Sequence, residues 1–145
     1  MDENKEFLTY LYQDTDMALS NLTLLINKIN KKENKIKKVV EEVIKGYEEE
    51  LKKIKVYIKK NKIDVTSKPL ISKMGAYMGI NMEIMKDNSD ARIADMIIQG
   101  MTMGVLNVSK KLDNYKDYLD KDILSIGKDF KDFQQKSIEK LKVYL

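Results

Sequence analysis

The sequence predicts an all-α protein, a single antiparallel up-and-down helical bundle over residues 1–145 with four long helices and one short Met-rich helix. Apolar residues recur at spacings of three and four along most of the chain, which is the period of a helix with one buried face. No segment alternates apolar and polar residues as a half-buried strand would. One proline, Pro69, interrupts the 145 residues, a length that suits one domain.

The first two helices follow from two stripes of apolar residues in different registers. The first stripe predicts a helix over 4–29, and the second predicts a helix over 33–60. Asn30, Lys31 and Lys32 break the pattern between them. Because this break is short, we expect the two helices to be antiparallel neighbours.

A loop and a short helix are predicted next. The segment 61–69 is rich in turn-forming residues, and Ser67 is suited to cap a helix that starts at Pro69. This third helix is expected over 69–86, because the polar residues 87–90 end it and cap the following helix.

The last two helices differ in character. A helix over 90–117 is predicted to be apolar on nearly every side from Ile93 to Val108, so we expect it to be the most buried element. After Asp120-Lys121-Asp122, a final helix is predicted to the end of the chain, because its apolar residues keep a heptad-like register.

Charge is interspersed along the chain. The 27 basic and 23 acidic residues give a net charge of +4, and only Arg92 is an arginine. Since lysines supply point charges and not the bidentate contacts of arginine, we expect no nucleic-acid binding. The acidic start and the absence of a long apolar run predict no secretory signal and no membrane segment. We therefore expect a cytoplasmic protein.

The sequence offers little that favours catalysis. It contains no histidine and no cysteine, which removes the commonest general base and the best sulfur nucleophile. It also lacks a Gly-x-Ser-x-Gly elbow and a phosphate-binding glycine loop. We expect a non-enzymatic binding or assembly protein, with no catalytic residues and no organic cofactor.

Methionine and glycine are concentrated in one part of the chain. Seven of the nine methionines and four of the six glycines lie between residues 74 and 104. Methionine adapts to irregular apolar partners, and Gly-x-x-x-Gly allows close approach to the backbone. The segment therefore predicts a face for an apolar small molecule or for a second copy of the chain, formed by Met74, Gly75, Met78, Gly79, Met82, Gly100, Met101 and Gly104.

A divalent metal site is the alternative hypothesis. Asp95 and Gln99 are four residues apart and share a helix face, and Asp14 and Glu50 on the first two helices are candidates to join them. The chain has no Glu-x-x-His pattern of the kind that binds iron in helical bundles. Acids paired with lysine or with the Tyr47 hydroxyl would explain the same residues without a metal. Copper bound by the methionines is disfavoured because histidine and cysteine are absent.

Three segments show a resemblance to a known group of proteins. These are Leu11-Tyr12-Gln13, Ser72-Lys73-Met74-Gly75 and the run from Ile93 to Gly104. Over most of its length the chain resembles small bacterial helical proteins related to the ferritin-like bundle. The resemblance implies a ferritin-like fold and draws attention to Asp95 and Gln99, and it implies no activity. In similar sequences we expect histidine in place of Arg92 and glutamate in place of Asp95, so an Arg92–Asp95 ion pair is the simpler interpretation here.

Overall fold

The computed structural model describes residues 2–29, 34–65 and 89–145. Within these ranges the chain forms four α-helices and no β-strand, which confirms the all-α prediction. The predicted short helix over 69–86 lies outside the described residues. None of the four described helices is both long and apolar enough to cross a membrane. The helices are α1 (Glu3–Ile29), α2 (Lys37–Lys60), α3 (Asp90–Tyr115) and α4 (Lys121–Lys142).

Each helix of the bundle packs against two main neighbours. α1 packs against α2 and α3, and α4 packs against the same two helices. Lys140 near the end of α4 meets Glu42 near the start of α2 at 4.0 Å, and Lys53 meets Asp129 at 3.7 Å, so α2 and α4 run antiparallel. In the described part of the chain, α2 and α3 are consecutive but do not pack against each other. The predicted antiparallel up-and-down, ferritin-like arrangement is not confirmed by these contacts.

The core consists of the inward faces of all four helices, and glycine permits the closest approach between them. Phe7 of α1 and Phe130 of α4 are both fully buried. A Cβ atom on Gly127 would lie 2.7 Å from Cζ of Phe7 and 3.0 Å from Cδ2 of Leu112. Because the Phe7 ring is enclosed and cannot move aside, residue 127 has to be small for α1 and α4 to pack at this distance.

The helix α3 buries one face only. Its buried residues follow helical spacing from Ile93 through Val108 to Leu112. Met103 and Leu106 on another face are 58% and 52% exposed. The expectation that this helix is the most buried element is therefore wrong for the residues described, where α1 has eight buried residues and α3 has seven.

The start of α2 is capped by a side chain from α3. Ile36 occupies the N-cap position of α2 and makes no side-chain cap hydrogen bond. Instead, the Asp90 carboxylate accepts hydrogen bonds from the Asn34 amide at 2.8 Å and from the backbone N–H groups of Lys35 at 3.2 Å and Ile36 at 3.4 Å. The first N–H groups of a helix have no partner within the helix and carry partial positive charge, so a carboxylate stabilises them.

A similar contact joins α1, α2 and α4 at the opposite end of the bundle. The backbone N–H of Asp120, before α4, donates to Oδ1 of Asn4 at 2.9 Å. The Tyr57 hydroxyl, near the end of α2, donates to the Asp120 carboxylate at 3.3 Å. Side chains from other helices thus fix the helix ends at both ends of the bundle.

Replacing Asp90 with alanine should destabilise the fold. Asp90→Ala leaves the donors at the start of α2 without their acceptor, so we expect the free energy of unfolding to fall by about 1 kcal/mol. Urea denaturation at neutral pH measures this change. Asp122→Ala is the control, because Asp122 is exposed in the first turn of α4. If the free energy of unfolding falls equally in both variants, the hydrogen bonds from Asp90 to the start of α2 contribute no more than any acidic residue in the first turn of a helix.

Candidate ligand-binding cavity

A cavity of about 330 Å³ lies between α1 and α3, and we call it the α1–α3 cavity. These helices are neighbours, but they pack less extensively than α1 with α2 or α3 with α4, which leaves this volume unfilled. The walls are mostly apolar. Met17, Leu22 and Leu25 contribute from α1, and Ile97 and Met101 contribute from α3.

Two side chains from the far helices form the floor of the α1–α3 cavity. These are Tyr47 of α2 and Gln134 of α4, which are 2% and 1% exposed. The Gln134 amide nitrogen donates a hydrogen bond to the Tyr47 hydroxyl oxygen at 3.2 Å. The Gln134 amide oxygen is buried and has no hydrogen-bond partner. Leaving such a group unpaired costs about 1–3 kcal/mol, so its retention needs an explanation.

Neighbouring residues fix the position of this floor. A Cβ atom on Gly104 of α3 would lie 2.6 Å from the Gln134 amide nitrogen, so a larger residue here would displace the end of the Gln134 side chain from its present position. The Tyr47 ring packs edge-on against Phe130 and Phe133, with ring centroids 6.1 Å and 4.8 Å apart. The packed aromatic rings therefore hold the phenol in place beside the amide.

Asn21 adds a second unpaired polar group to the cavity lining. It lies on the α1 wall, and its amide nitrogen is buried without a hydrogen-bond partner. The lining thus contains one unpaired acceptor on Gln134 and one unpaired donor on Asn21. Both atoms are enclosed by protein and have almost no surface open to the cavity, so they gain a partner only if the side chains around them move.

The charged residues of the lining are of both signs. Asp14 of α1 and Arg92 of α3 both line the cavity. Arg92 Nη1 lies 3.4 Å from Oδ2 of Asp95, which is the predicted ion pair within the helix. The Gln99 amide donates to the same carboxylate oxygen at 3.1 Å. Charge of one sign therefore does not dominate this lining.

The structure brings together only some of the residues predicted to bind metal. Asp14 and Gln99 line the cavity, and Asp95 is hydrogen-bonded to Gln99. Glu50 lies elsewhere, between α2 and α4, with its Oε1 3.2 Å from Lys53 Nζ. In the three described ranges, no group of three or more acidic side chains is arranged to hold a metal ion. Divalent metal binding stays a prediction.

The predicted methionine and glycine face is described only in its α3 part. Gly100 and Met101 line the α1–α3 cavity, and Gly104 is buried against Gln134. The other predicted members, Met74, Gly75, Met78, Gly79 and Met82, lie outside the described residues. Self-association through this face also stays a prediction.

The floor residues were not predicted from the sequence to form a site. Tyr47 was expected only as a hydroxyl partner for a buried acid, and no role was predicted for Gln134. The sequence did contain a signal for Gln134. Its position follows the helical spacing of the buried residues Gly127, Phe130 and Leu141, which places it on the buried face of the helix. A long polar side chain in that register predicts a polar contact inside the bundle. We find no comparable sequence signal for Asn21.

Comparison with known proteins gives no indication of what the cavity binds, so its function is inferred from its geometry. No protein-family model, curated protein or solved structure matches the chain. Fold and site together define an all-α four-helix bundle with a mostly apolar cavity that opens to solvent between α1 and α3. The four-helix architecture is compatible with the resemblance noted in the sequence, and its ferritin-like character stays a prediction.

Glu50 is a buried carboxyl group with an incomplete set of partners. Its residue is 7% exposed, and its Oε2 has no hydrogen-bond partner. Burial raises the pKa of Glu50 above its usual value, and the Lys53 ammonium opposes this shift only in part. Because the folded state then binds the proton more tightly than the unfolded state, Glu50 favours folding at low pH. That contribution is lost as the pH rises through the folded-state pKa.

Glu50→Gln should therefore be more stable than the wild type at neutral pH. The neutral amide avoids the burial of a charge, so we expect the stability advantage to grow from pH 4 towards pH 7. Urea denaturation across this pH range measures it. Glu49→Gln, at an exposed neighbouring position, should show little pH-dependent advantage. A constant difference between Glu50→Gln and the wild type would contradict the raised pKa.

Proposed function

We propose that this protein is a non-enzymatic binding module that holds a small, largely apolar molecule in the α1–α3 cavity. The single observation that supports this proposal is a cavity of about 330 Å³ with mostly apolar walls between α1 and α3. Small-molecule sites typically combine an apolar lining with a few polar groups that orient the ligand. Asp14, Arg92 and Gln99 are the polar groups of this kind in the lining.

The size of the cavity supports a ligand larger than a single ring. Its volume of about 330 Å³ is roughly twice that of the apolar cavity of ~150 Å³ that accommodates benzene in an engineered protein. By that proportion it suits a molecule of about 13 non-hydrogen atoms. It also falls at the lower end of the range of about 300–1,000 Å³ that is usual for ligand pockets.

The cavity is open to solvent on one side, because Gln99 and Met103 of its lining are exposed. A bound apolar molecule would displace water from Leu22, Leu25 and Ile97, which is favourable.

A ferritin-like fold and a cytoplasmic location, both predicted from the sequence, are proposed as well. The absence of packing between the consecutive helices α2 and α3 in the described residues is compatible with a ferritin-like connection between two helix pairs. We propose this fold on the basis of the sequence resemblance, together with a cytoplasmic location. The lining residues Gly100 and Met101 belong to the face that the sequence analysis predicted for an apolar ligand.

Filling the cavity should abolish binding without unfolding the protein. Gly100→Leu introduces a large side chain at the α3 wall, and glycine is a poor helix former, so helix stability should not fall. We expect the Kd for the small fluorescent apolar probe 1-naphthylamine to rise by about tenfold or more, a change of about 1.4 kcal/mol or more. Fluorescence titration measures the Kd, and circular dichroism monitors the fold.

The controls separate filling of the cavity from other effects. Ala18→Leu fills the cavity from the opposite wall and should also weaken binding. Thr102→Leu places the same side chain on the exposed face of α3 and should leave binding unchanged. Unchanged affinity in both filling variants, or an equal loss in Thr102→Leu, would rule out the α1–α3 cavity as the binding site.

Self-association is a second proposal, favoured by the exposed apolar residues of α3. Met103 and Leu106 are 58% and 52% exposed, which is unusual for adjacent large apolar side chains on one helix. If they form an interface between two copies, Leu106→Lys should shift the protein from dimer to monomer in size-exclusion chromatography with light scattering. A wild-type protein that is monomeric at high concentration would rule this proposal out.

A further inference from the structure

Methionine is confined to the α1–α3 cavity in the part of the chain that the structure describes. The ranges 2–29, 34–65 and 89–145 contain four methionines, and every one of them lines this cavity. They are Met17 of α1 and Met96, Met101 and Met103 of α3. The other buried apolar residues of the described core are leucine, isoleucine, valine, phenylalanine, alanine and tyrosine. The thioether side chains therefore belong to the cavity and not to the interior in general.

The methionines lie on both walls of the cavity and at different depths. Met17 contributes to the α1 wall, and the other three contribute to the α3 wall. Met17 and Met101 are 9% and 4% exposed, whereas Met103 is 58% exposed. A ligand that enters between α1 and α3 would thus meet methionine side chains at the opening and again further inside.

Methionine differs from leucine in the partners that it favours. Its sulfur is polarisable and attracts an aromatic ring at a distance of about 5 Å, often at the edge of the ring. The unbranched side chain has three rotatable bonds, so it adjusts its shape to a flat partner. A cavity with methionine on both walls therefore favours a ring over a saturated group of the same size.

Arg92 is a second group in the lining that favours aromatic rings. It is the only arginine of the chain, and it lies on the α3 wall. A guanidinium group stacks on the face of a ring through its plane, and it binds a carboxylate through its N–H groups. Nη1 of Arg92 lies 3.4 Å from Oδ2 of Asp95. The ion pair within α3 is compatible with a ring that stacks on Arg92.

We infer that the α1–α3 cavity selects aromatic ligands of two rings over saturated ligands with the same carbon skeleton. This inference rests on the proposed binding function and specifies its ligand class. The cavity volume of about 330 Å³ suits a molecule of about 13 non-hydrogen atoms, which is the size of two rings with a small substituent. Burial of apolar surface alone predicts the opposite order, because a saturated ring system has the larger apolar surface.

Isothermal titration calorimetry with 2-naphthol and decahydro-2-naphthol tests the inference at neutral pH. The two compounds share the carbon skeleton and the hydroxyl group, both are uncharged at this pH, and only 2-naphthol is aromatic. We expect the Kd of 2-naphthol to be about tenfold lower than that of decahydro-2-naphthol. Equal Kd values, or tighter binding of the saturated compound, would overturn the inference.

Methionine-to-leucine variants assign the preference to the thioether side chains. The double variant Met17→Leu/Met101→Leu removes one sulfur from each wall and nearly conserves side-chain volume, so its preference for 2-naphthol should fall by about threefold or more. Ile97→Leu is the matched control, because it alters an aliphatic residue of the same cavity and should retain the preference. An undiminished preference in the folded double variant would overturn the role of the methionines. If circular dichroism shows that the double variant is unfolded, Met96→Leu, at a half-buried position of the α3 wall, is judged by the direction of the same change.

The failure of the inference and that of the proposed function give different results. If both naphthols bind and the saturated one binds equally or more tightly, the cavity holds apolar molecules as proposed, and only the preference for rings fails. If neither naphthol binds and 1-naphthylamine does not bind either, the proposed function itself fails, and the inference fails with it.

Discussion

One polar contact lies among the apolar side chains that hold this bundle together, the hydrogen bond that the Gln134 amide of α4 donates to the Tyr47 hydroxyl of α2. The same amide lies against Gly104 of α3, so a single side chain contacts two other helices. Gly104 and the aromatic rings beside Tyr47 fill the space around the amide. The helix α1 takes no part in the contacts of Gln134 with Tyr47 and Gly104, and it packs less extensively against α3 than against α2. The α1–α3 cavity is the space that remains between them.

The fold was largely predictable from the sequence, and the site was predictable only in part. Helical periodicity located the four long helices, because apolar spacing determines which face is buried. Periodicity could not determine which helices would be neighbours, since this depends on how their side chains interdigitate across the bundle. Gly100 and Met101 were predicted to contact an apolar ligand, and both line the cavity. Gln134 and Asn21 were not predicted, because their unpaired atoms are properties of the packed structure.

The interior accommodates its polar side chains in two ways. Thr15 is fully buried, and its hydroxyl donates to the backbone oxygen of Leu11 at 2.7 Å within the same helix. The Thr15 hydroxyl therefore needs no hydrogen-bond partner from another helix. Gln134 and Asn21 each keep one polar atom that the protein does not satisfy, and both line the same cavity. The Tyr10 hydroxyl and Oε2 of Glu50 are also buried without a hydrogen-bond partner, and neither residue lines the cavity, so unpaired polar atoms occur in more than one part of the interior.

The cap that Asp90 provides for α2 has a consequence for how the chain folds. The pair α1–α2 and the pair α3–α4 are each joined by extensive packing, so each resembles a unit that forms early from local contacts. The start of α2 acquires its acceptor only when the first residue of α3 arrives beside it. The first helical pair therefore reaches its full stability only after the second has docked. This dependence couples the two halves of the chain into one cooperative transition, and the first turn of α2 should be the place where the folded protein most readily frays when the halves separate.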